Sequence, residues 1–310
     1  MPHVCVSIVG YRNPADIAQC LKALERSTHS DFHVVICENG GREAFEDLRT
    51  TTPERLVGGQ TVVIVNAGAN LGYAGGVNRA MAQSPDADAW WILNPDTQPE
   101  PDAMSAALAR LEIGDCDAVG STVYLPDRSV QSHAGLWRPW MARAVSLGHG
   151  TSMTTPADAE SIERSQSYLN GACMLVDRTF VQKVGPMRED YFLYCEEVEW
   201  FLRASARGLR MGFAPASRVL HEGGATTGSY TAIRQRPKTP VYLNERNRLL
   251  VTRDCYPLAR LPVVAVGALV VLALKYGRRG AWRQLGYALS GWIAGLANRR
   301  GPPEWVNTAS

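Results

Sequence analysis

The chain has 310 residues, of which 45% are hydrophobic and 20% charged. That balance excludes a disordered or fibrous protein and leaves room for one large domain or two small ones. A net charge of +2 is too small for a protein that binds nucleic acid over a broad surface. The seven cysteines (Cys5, Cys20, Cys37, Cys116, Cys173, Cys195 and Cys255) are odd in number, widely spaced and without a CxxC pair. Neither a disulfide framework nor a zinc site is expected, and a reducing compartment fits. The opening residues, MPHVCVSIVGY, lack the long apolar stretch of a signal peptide, so a cytosolic location is expected.

Along the first half, β-branched runs alternate with helical patterns. Strands are predicted at residues 4–9, 33–37, 61–65, 89–93 and 118–123, and helices at 14–26, 75–82 and 101–111. Such alternation implies βαβ units, a mostly parallel central sheet and flanking helices. Ligands then bind beyond the carboxyl ends of the strands, which points to the turn after Val9, to Glu38-Asn39-Gly40 and to Asn94-Pro95-Asp96-Thr97. Further on, residues 148–161 read as a surface loop, 172–177 and 210–214 as strands, and 196–207 as a helix. Residues 222–240, rich in Gly and Thr and carrying Arg234, Arg236 and Lys238, read as a long mobile loop.

The tail differs in character. Residues 261–274 form an uncharged apolar run of fourteen, short of the roughly 20 residues a bilayer span needs. After it, Trp282, Leu285, Leu289, Trp292, Ile293 and Leu296 share one helical face flanked by arginines. Two readings stand side by side. This C-terminal helical segment (residues 256–310) either lies peripherally on a membrane surface or packs on the preceding domain (residues 1–255) or on a second copy in a homo-oligomer.

Four places can carry chemistry. Asp96, presented at a strand's carboxyl end with Asn94, suits a Mg²⁺ or Mn²⁺ ion held largely by substrate phosphates, although Asn-Pro-Asp-Thr is also an ordinary turn. The stretch from Asn70 to Asn78 places Gly72, Gly75 and Gly76 around a helix start. It can let a phosphate approach the backbone or serve as a tight strand-to-helix turn. Glu196, Glu197 and Glu199 crowd three carboxylates into one helical turn, where mutual repulsion prepares a general base; acidic residues also favour any helix N-terminus. His221, at a strand end beside the polar loop, is a candidate metal ligand. A GxGxxG turn after the first strand, which a dinucleotide-dependent oxidoreductase would carry, is replaced by Gly10-Tyr11-Arg12-Asn13.

Together these motifs resemble glycosyltransferase family 2, inverting enzymes of the GT-A fold. The likeness runs from Val6 to about Asn247. Residues 6–13 resemble the family's opening strand and turn, and Glu38-Asn39-Gly40 its nucleobase-contacting Asp-Asn turn. Asn70-Leu71-Gly72-Tyr73-Ala74-Gly75-Gly76-Val77-Asn78 is similar to the matching stretch of the rhamnosyltransferase-like branch. Asn94-Pro95-Asp96 stands at the Asp-x-Asp metal motif, Gly171-Ala172 at the acceptor side, and Glu196-Glu197-Val198-Glu199 at the Glu-Asp-x-Asp motif. The sequence departs from the family at Gly10, where Thr is usual, and at Glu38 and Glu197, where Asp is usual.

The resemblance implies a metal-dependent hexosyltransferase using a nucleotide diphosphate sugar. Glu197 is implied as the catalytic base, Asp96 and His221 as ligands of Mg²⁺ or Mn²⁺, and Asn94 as a contact to sugar or metal. The donor is implied to rest against Tyr11, Glu38, Asn39, Asn70, Gly72, Tyr73, Gly76 and Asn78, with Arg234 closing over its diphosphate. The donor expected first is dTDP-L-rhamnose and the acceptor a saccharide or polyprenyl-linked saccharide, in cell-envelope or exopolysaccharide synthesis. A UDP-hexose transferase and an inactive nucleotide-sugar-binding module are the alternatives. The basic tail agrees with a lipid-linked acceptor at the inner face of the plasma membrane.

Overall fold

The computed structural model describes residues 2–222, 232–306 and 308. In chain order the elements are β1 (Val4–Gly10), α1 (Pro14–Leu24), β2 (Phe32–Glu38), α2 (Arg42–Thr51), β3 (Val62–Asn66), α3 (Gly72–Met81), β4 (Ala89–Leu93), β5 (Thr97–Pro99) and α4 (Ala103–Leu111). They continue with β6 (Ala118–Tyr124), β7 (Val130–Ser132), β8 (Ala134–Arg138), β9 (Arg143–Leu147), α5 (Ala159–Ser165), β10 (Cys173–Asp177), α6 (Arg178–Val184), α7 (Glu196–Ala206) and β11 (Met211–His221). Three helices close the chain: α8 (Lys238–Cys255), α9 (Leu261–Leu272) and α10 (Trp282–Leu296).

A nine-stranded sheet runs β3-β2-β1-β4-β10-β6-β11-β5, with β7 beside β6. β1, β2, β3, β4, β6 and β11 point one way, and β5, β7 and β10 oppose them. β1 and β4 are buried along their whole length, as expected of central parallel strands covered on both faces. Alternate residues supply opposite layers: Trp90 and Ile92 join one core, Trp91 and Leu93 the other. In α1, Pro14 opens the helix and Ile17, Cys20, Leu21 and Leu24 turn inward at helical spacing.

The topology sets the position of the site. From β1 the chain winds outward through β2 and β3, then returns to place β4 on the other side of β1. That reversal opens a crevice at the carboxyl ends of β1 and β4, where the sequence places residues 10–13 and 94–97.

The reading of residues 210–214 as a short strand stops too early. β11 continues through an irregularity between Ala214 and Arg218 and stays paired with β6 as far as Leu220; Pro215 marks a kink in the strand and not its end. Residues 159–161, read as loop, begin α5, and residues 238–240 begin α8. Of the remainder of the long loop, Ile233–Gln235 forms a short 3-10 turn and residues 223–231 lie outside the described residues.

The tail packs on the preceding domain, with small residues at the closest approach and part of its apolar face beside them. In α10 the inward residues are Gln284, Ala288, Gly291, Ala294 and Gly295. A side chain at Gly291 would meet the Tyr242 carbonyl at 2.2 Å, and one at Gly295 the Arg246 carbonyl at 2.7 Å. Small residues thus let α10 lie directly on the backbone of α8. The apolar face is divided: Leu285, Trp292 and Leu296 pack against the core and Trp292 Nε1 donates to the Ala265 carbonyl at 3.0 Å, while Trp282 and Ile293 are exposed, as are Val263, Val266, Val270 and Leu274 on and after α9.

Candidate active site

β5 pairs antiparallel with β11 so that Thr97 faces His221, and the Glu222 N–H donates to the Asp96 carbonyl at 3.1 Å. This register brings the Asp96 carboxylate 3.2 Å from His221 Nε2. Both side chains are nearly buried, and Asn94 Nδ2 lies 3.5 Å from the same imidazole nitrogen. On its other side, His221 Nδ1 is 2.8 Å from Gln131 Oε1. An amide oxygen can only accept, so Nδ1 carries a proton, and Nε2 is the ring atom turned to the carboxylate. With that nitrogen unprotonated, the pair presents two acceptors to a cation; with it protonated, the pair is an ion pair.

The donor set fits a divalent ion: one carboxylate oxygen and one imidazole nitrogen whose tautomer is fixed by a neighbouring amide. Among the described residues no three His, Cys, Asp or Glu side chains gather to hold a metal by themselves. An ion held by Asp96 and His221 would therefore need its remaining ligands from a substrate, the usual arrangement for Mg²⁺ with phosphates.

The acidic helix start lies close by. The Asn94 N–H donates to the Ala172 carbonyl at 3.0 Å, while Glu197 lies against Gly171, where an added side chain would touch its Cγ at 3.7 Å. One short segment, residues 171–172, thus separates the Asp96–His221 pair from the carboxylate. Tyr73 donates to the Gly171 carbonyl. Burial first, and then the charges of Glu196, Glu197 and Asp96, push its phenol well above its ordinary value.

Glu197 and Glu196 both titrate higher than ordinary carboxylates. Burial is the main cause for each, and the charge of Glu197 adds to the shift of Glu196. Glu196 is fully buried whereas Glu197 keeps some access to solvent, so Glu197 is the one placed to meet a substrate.

The backbone before α7 is strained. Phe192, Tyr194 and Cys195 adopt φ values of 68°, 74° and 66°, which cost non-glycine residues about 1–3 kcal/mol each. Two buried residues of α8 hold this turn. Asn247 Nδ2 donates to the carbonyls of Tyr191, Leu193 and Tyr194 at 3.0, 2.8 and 2.7 Å, and Arg246 Nη2 donates to Tyr191 at 2.8 Å. Sequence reading missed both residues, because an Arg-Asn pair inside a helix carries no motif. It also missed Gln131, which lies in a three-residue strand.

At the other edge, Glu38 is buried and folded onto its own turn. Its Oε1 accepts from the Gly40 and Arg12 N–H groups at 2.6 and 3.1 Å. A side chain at Gly10 would meet Glu38 Oε2 at 2.5 Å, so the two departures noted in the sequence form one exchange: the longer acid fills the space that Gly10 vacates. Asn39 Nδ2 donates to the Gly72 carbonyl at 2.7 Å, and Tyr11 is left partly exposed.

The glycine stretch is accounted for by close packing. Gly72 has φ +72° and a Cβ there would lie 2.0 Å from the Phe192 carbonyl, while one at Gly76 would strike Val9 and Asn39. The Asn70 carboxamide oxygen accepts from the Gly72 N–H at 3.1 Å. Asn78 exchanges hydrogen bonds with the Met187 backbone. The stretch thereby braces the 187–195 segment that presents Glu197. Arg234 is exposed and donates to the Arg279 carbonyl at 2.7 Å, which ties it to the C-terminal segment in this conformation.

A carboxylate–imidazole pair and a buried acidic helix start thus meet at the carboxyl ends of an α/β sheet, where such folds place an enzyme's ligands. Residues 2–248 match the model of glycosyltransferase-like family 2, and the chain belongs to that family. It is 29% identical over 248 residues to an N-acetylglucosaminyl-diphospho-decaprenol L-rhamnosyltransferase of Mycobacterium tuberculosis, covering 72% of this chain and 77% of the relative. A low-salt glycan biosynthesis hexosyltransferase of Haloferax volcanii is 20% identical over 249 residues, 77% of each chain. Among solved structures, a mannosyltransferase from Pyrobaculum calidifontis, bound to GDP-Man and Mn²⁺, superposes with a TM-score of 0.56 at 15% identity, covering 96% of this chain and 88% of that one. The fold is GT-A, and the protein is a glycosyltransferase.

Proposed function

We propose that the enzyme transfers L-rhamnose from dTDP-L-rhamnose, with inversion, to a saccharide carried on a polyprenyl diphosphate. The observation that carries this reading is the Asp96–His221 pair at 3.2 Å, one backbone segment away from Glu197. The choice of sugar and acceptor rests on the mycobacterial relative.

Tyr11 and the turns at Glu38 and Asn39 receive the nucleoside, and Asn94 lies within reach of the sugar. Asp96 and His221 hold a divalent ion, Mg²⁺ or Mn²⁺, which when bound supplies positive charge to the departing nucleoside diphosphate. Glu197 takes the proton from the acceptor hydroxyl. The oxygen attacks the anomeric carbon, the bond to the diphosphate breaks on the opposite face, and the configuration inverts. Arg234 would contact the diphosphate only after giving up its bond to the Arg279 carbonyl.

The test is an assay of dTDP-L-rhamnose, UDP-glucose, UDP-galactose and UDP-N-acetylglucosamine with N-acetylglucosaminyl polyprenyl diphosphate. Rhamnosyl transfer is expected to dominate. Transfer from a UDP-sugar alone would replace the donor but keep the mechanism, whereas no consumption of any donor would leave an inactive binding module.

We also place the enzyme peripherally on the inner face of the membrane. The helical stretch Leu258–Gly277 is 20 residues long and holds an 18-residue window of mean hydropathy 2.0, 22% of it buried, so by length and composition it reaches a bilayer span where the run of fourteen read from the sequence falls short; Arg278, Arg279 and Arg283 beside it are exposed. Between Cys255 and Glu304 there is no acidic residue. Basic charge beside an apolar face favours an anionic lipid surface. Purified protein is expected to sediment with phosphatidylglycerol vesicles and less with phosphatidylcholine, and Val266→Asp/Val270→Asp to stay in the supernatant. Equal partition of both proteins would refute the membrane contact.

A further inference from the structure

Behind the acidic helix start lies a cluster of cations that the mechanism above does not use. Glu245 of α8 is almost wholly buried, and a single oxygen of it faces three positive groups. Arg248 Nη1 lies at 2.8 Å, Arg143 Nη1 of β9 at 3.5 Å and Lys275 Nζ, in the turn after α9, at 3.7 Å. Three positive charges meet one negative charge. Arg143 Nε and Nη2 and Arg248 Nε are buried and lack a hydrogen-bond partner among the described residues. Burial first, and then the repulsion of Arg248, Arg143 and Arg236 against the pull of Glu245, bring Lys275 down to about 8.

Desolvating charge costs several kcal/mol per ion, and orphaned guanidinium N–H groups add to that cost. An arrangement of this kind is expected where an anion completes it. Its place in the fold narrows which anion. Arg248 follows Asn247, whose amide donates to the Tyr194 carbonyl at 2.7 Å, so the cluster lies behind the turn that leads into the acidic helix start. Lys275 directly follows the exposed stripe Val263, Val266, Val270 and Leu274. An apolar track therefore ends at a nest of cations on the same side of the domain as the turn before α7.

We propose that Arg143, Arg248 and Lys275 bind the diphosphate of an isoprenoid-linked acceptor, whose hydrocarbon chain leaves along the exposed face of α9. The proposal rests on the transferase reading and adds the acceptor's anchor to it. Arginine forks suit phosphate oxygens bidentately, and Lys275 adds a point charge.

The experiment measures binding of farnesyl diphosphate to the full-length protein, without donor. Farnesyl diphosphate is expected to bind much more tightly than farnesol, and dTDP is not expected to displace it. Lys275→Gln and Arg143→Gln, each of which leaves Glu245 two cationic partners, are expected to weaken binding about tenfold or more. Both are also expected to raise the KM for the polyprenyl acceptor and not that for the donor. Arg49→Gln, on the remote surface of α2, is expected to alter neither constant. Full displacement by dTDP would assign the cluster to the donor, and displacement by phosphatidylglycerol vesicles to a membrane headgroup; either overturns the proposal, as does equal binding of farnesol. Failure of the transferase reading is separately visible, because no nucleotide sugar would then be consumed while farnesyl diphosphate still bound.

Discussion

Glu197→Gln is expected to lower transfer about 10²–10⁴-fold, the usual contribution of a positioned general base, with little change in the KM for the donor. The amide is nearly isosteric, so the loss reports proton transfer and not packing. In the native enzyme the base works only when ionised, and burial has moved its titration above the ordinary 4.5 toward neutrality. Transfer should therefore fall as pH drops through that raised value, and the rising limb should vanish in the variant.

The same shift fixes the sign of a stability effect. A carboxyl whose folded pKa lies above its unfolded one binds more protons folded than unfolded, so stability is lost as pH rises between the two values. Glu197→Gln is thus expected to melt higher than the native protein at neutral pH and at nearly the same temperature at pH 4. A variant that turns over normally while Glu196→Gln is dead would transfer the role to the neighbouring acid.

How far the sequence disclosed this site depends on the kind of interaction. The strand-helix alternation is a local signal, and β1, β2, β4 and β6 fall where their apolar runs lie. Asp96 and His221 were each visible as residues at strand ends. Their 3.2 Å approach follows from pairing Thr97 with His221, and no spacing in the chain encodes that register.

The Asn70–Asn78 stretch shows the opposite case. Its glycines are plain in the sequence, but their use in admitting the Phe192 carbonyl depends on a segment more than a hundred residues away. The 192–195 turn could not be read at all, because left-handed backbone at Phe192, Tyr194 and Cys195 is sustained by tertiary hydrogen bonds from α8. The apolar stripe of α10 was legible in part: Leu285, Trp292 and Leu296 pack against the core, but the closest contact with α8 is made by Gly291 and Gly295, which carry no hydrophobic signal.

Asp96→Ala is expected to reduce transfer about 10²–10³-fold. Lewis-acid stabilisation of a leaving diphosphate is worth several kcal/mol, and each 1.36 kcal/mol is about tenfold in rate. The substitution removes the one carboxylate of the pair and leaves His221 Nε2 with only Asn94 beside it at 3.5 Å. A titration of the residual activity with Mn²⁺ should accordingly saturate at far higher concentration than in the native enzyme.

Gln131→Leu tests the same arrangement without touching the ligands. It frees His221 Nδ1 from its acceptor, lets the ring change tautomer or turn, and is expected to weaken Mn²⁺ affinity about 10–100-fold. A lower affinity with a maximal rate near that of the native enzyme at saturating Mn²⁺ is the pattern of a positioning residue. Metal dependence unchanged in both variants would remove Asp96 and His221 from that role. It would then leave the opposed carboxylate and imidazole to be explained by protonation of His221, which the Gln131 contact tolerates equally well, since both ring nitrogens of an imidazolium donate.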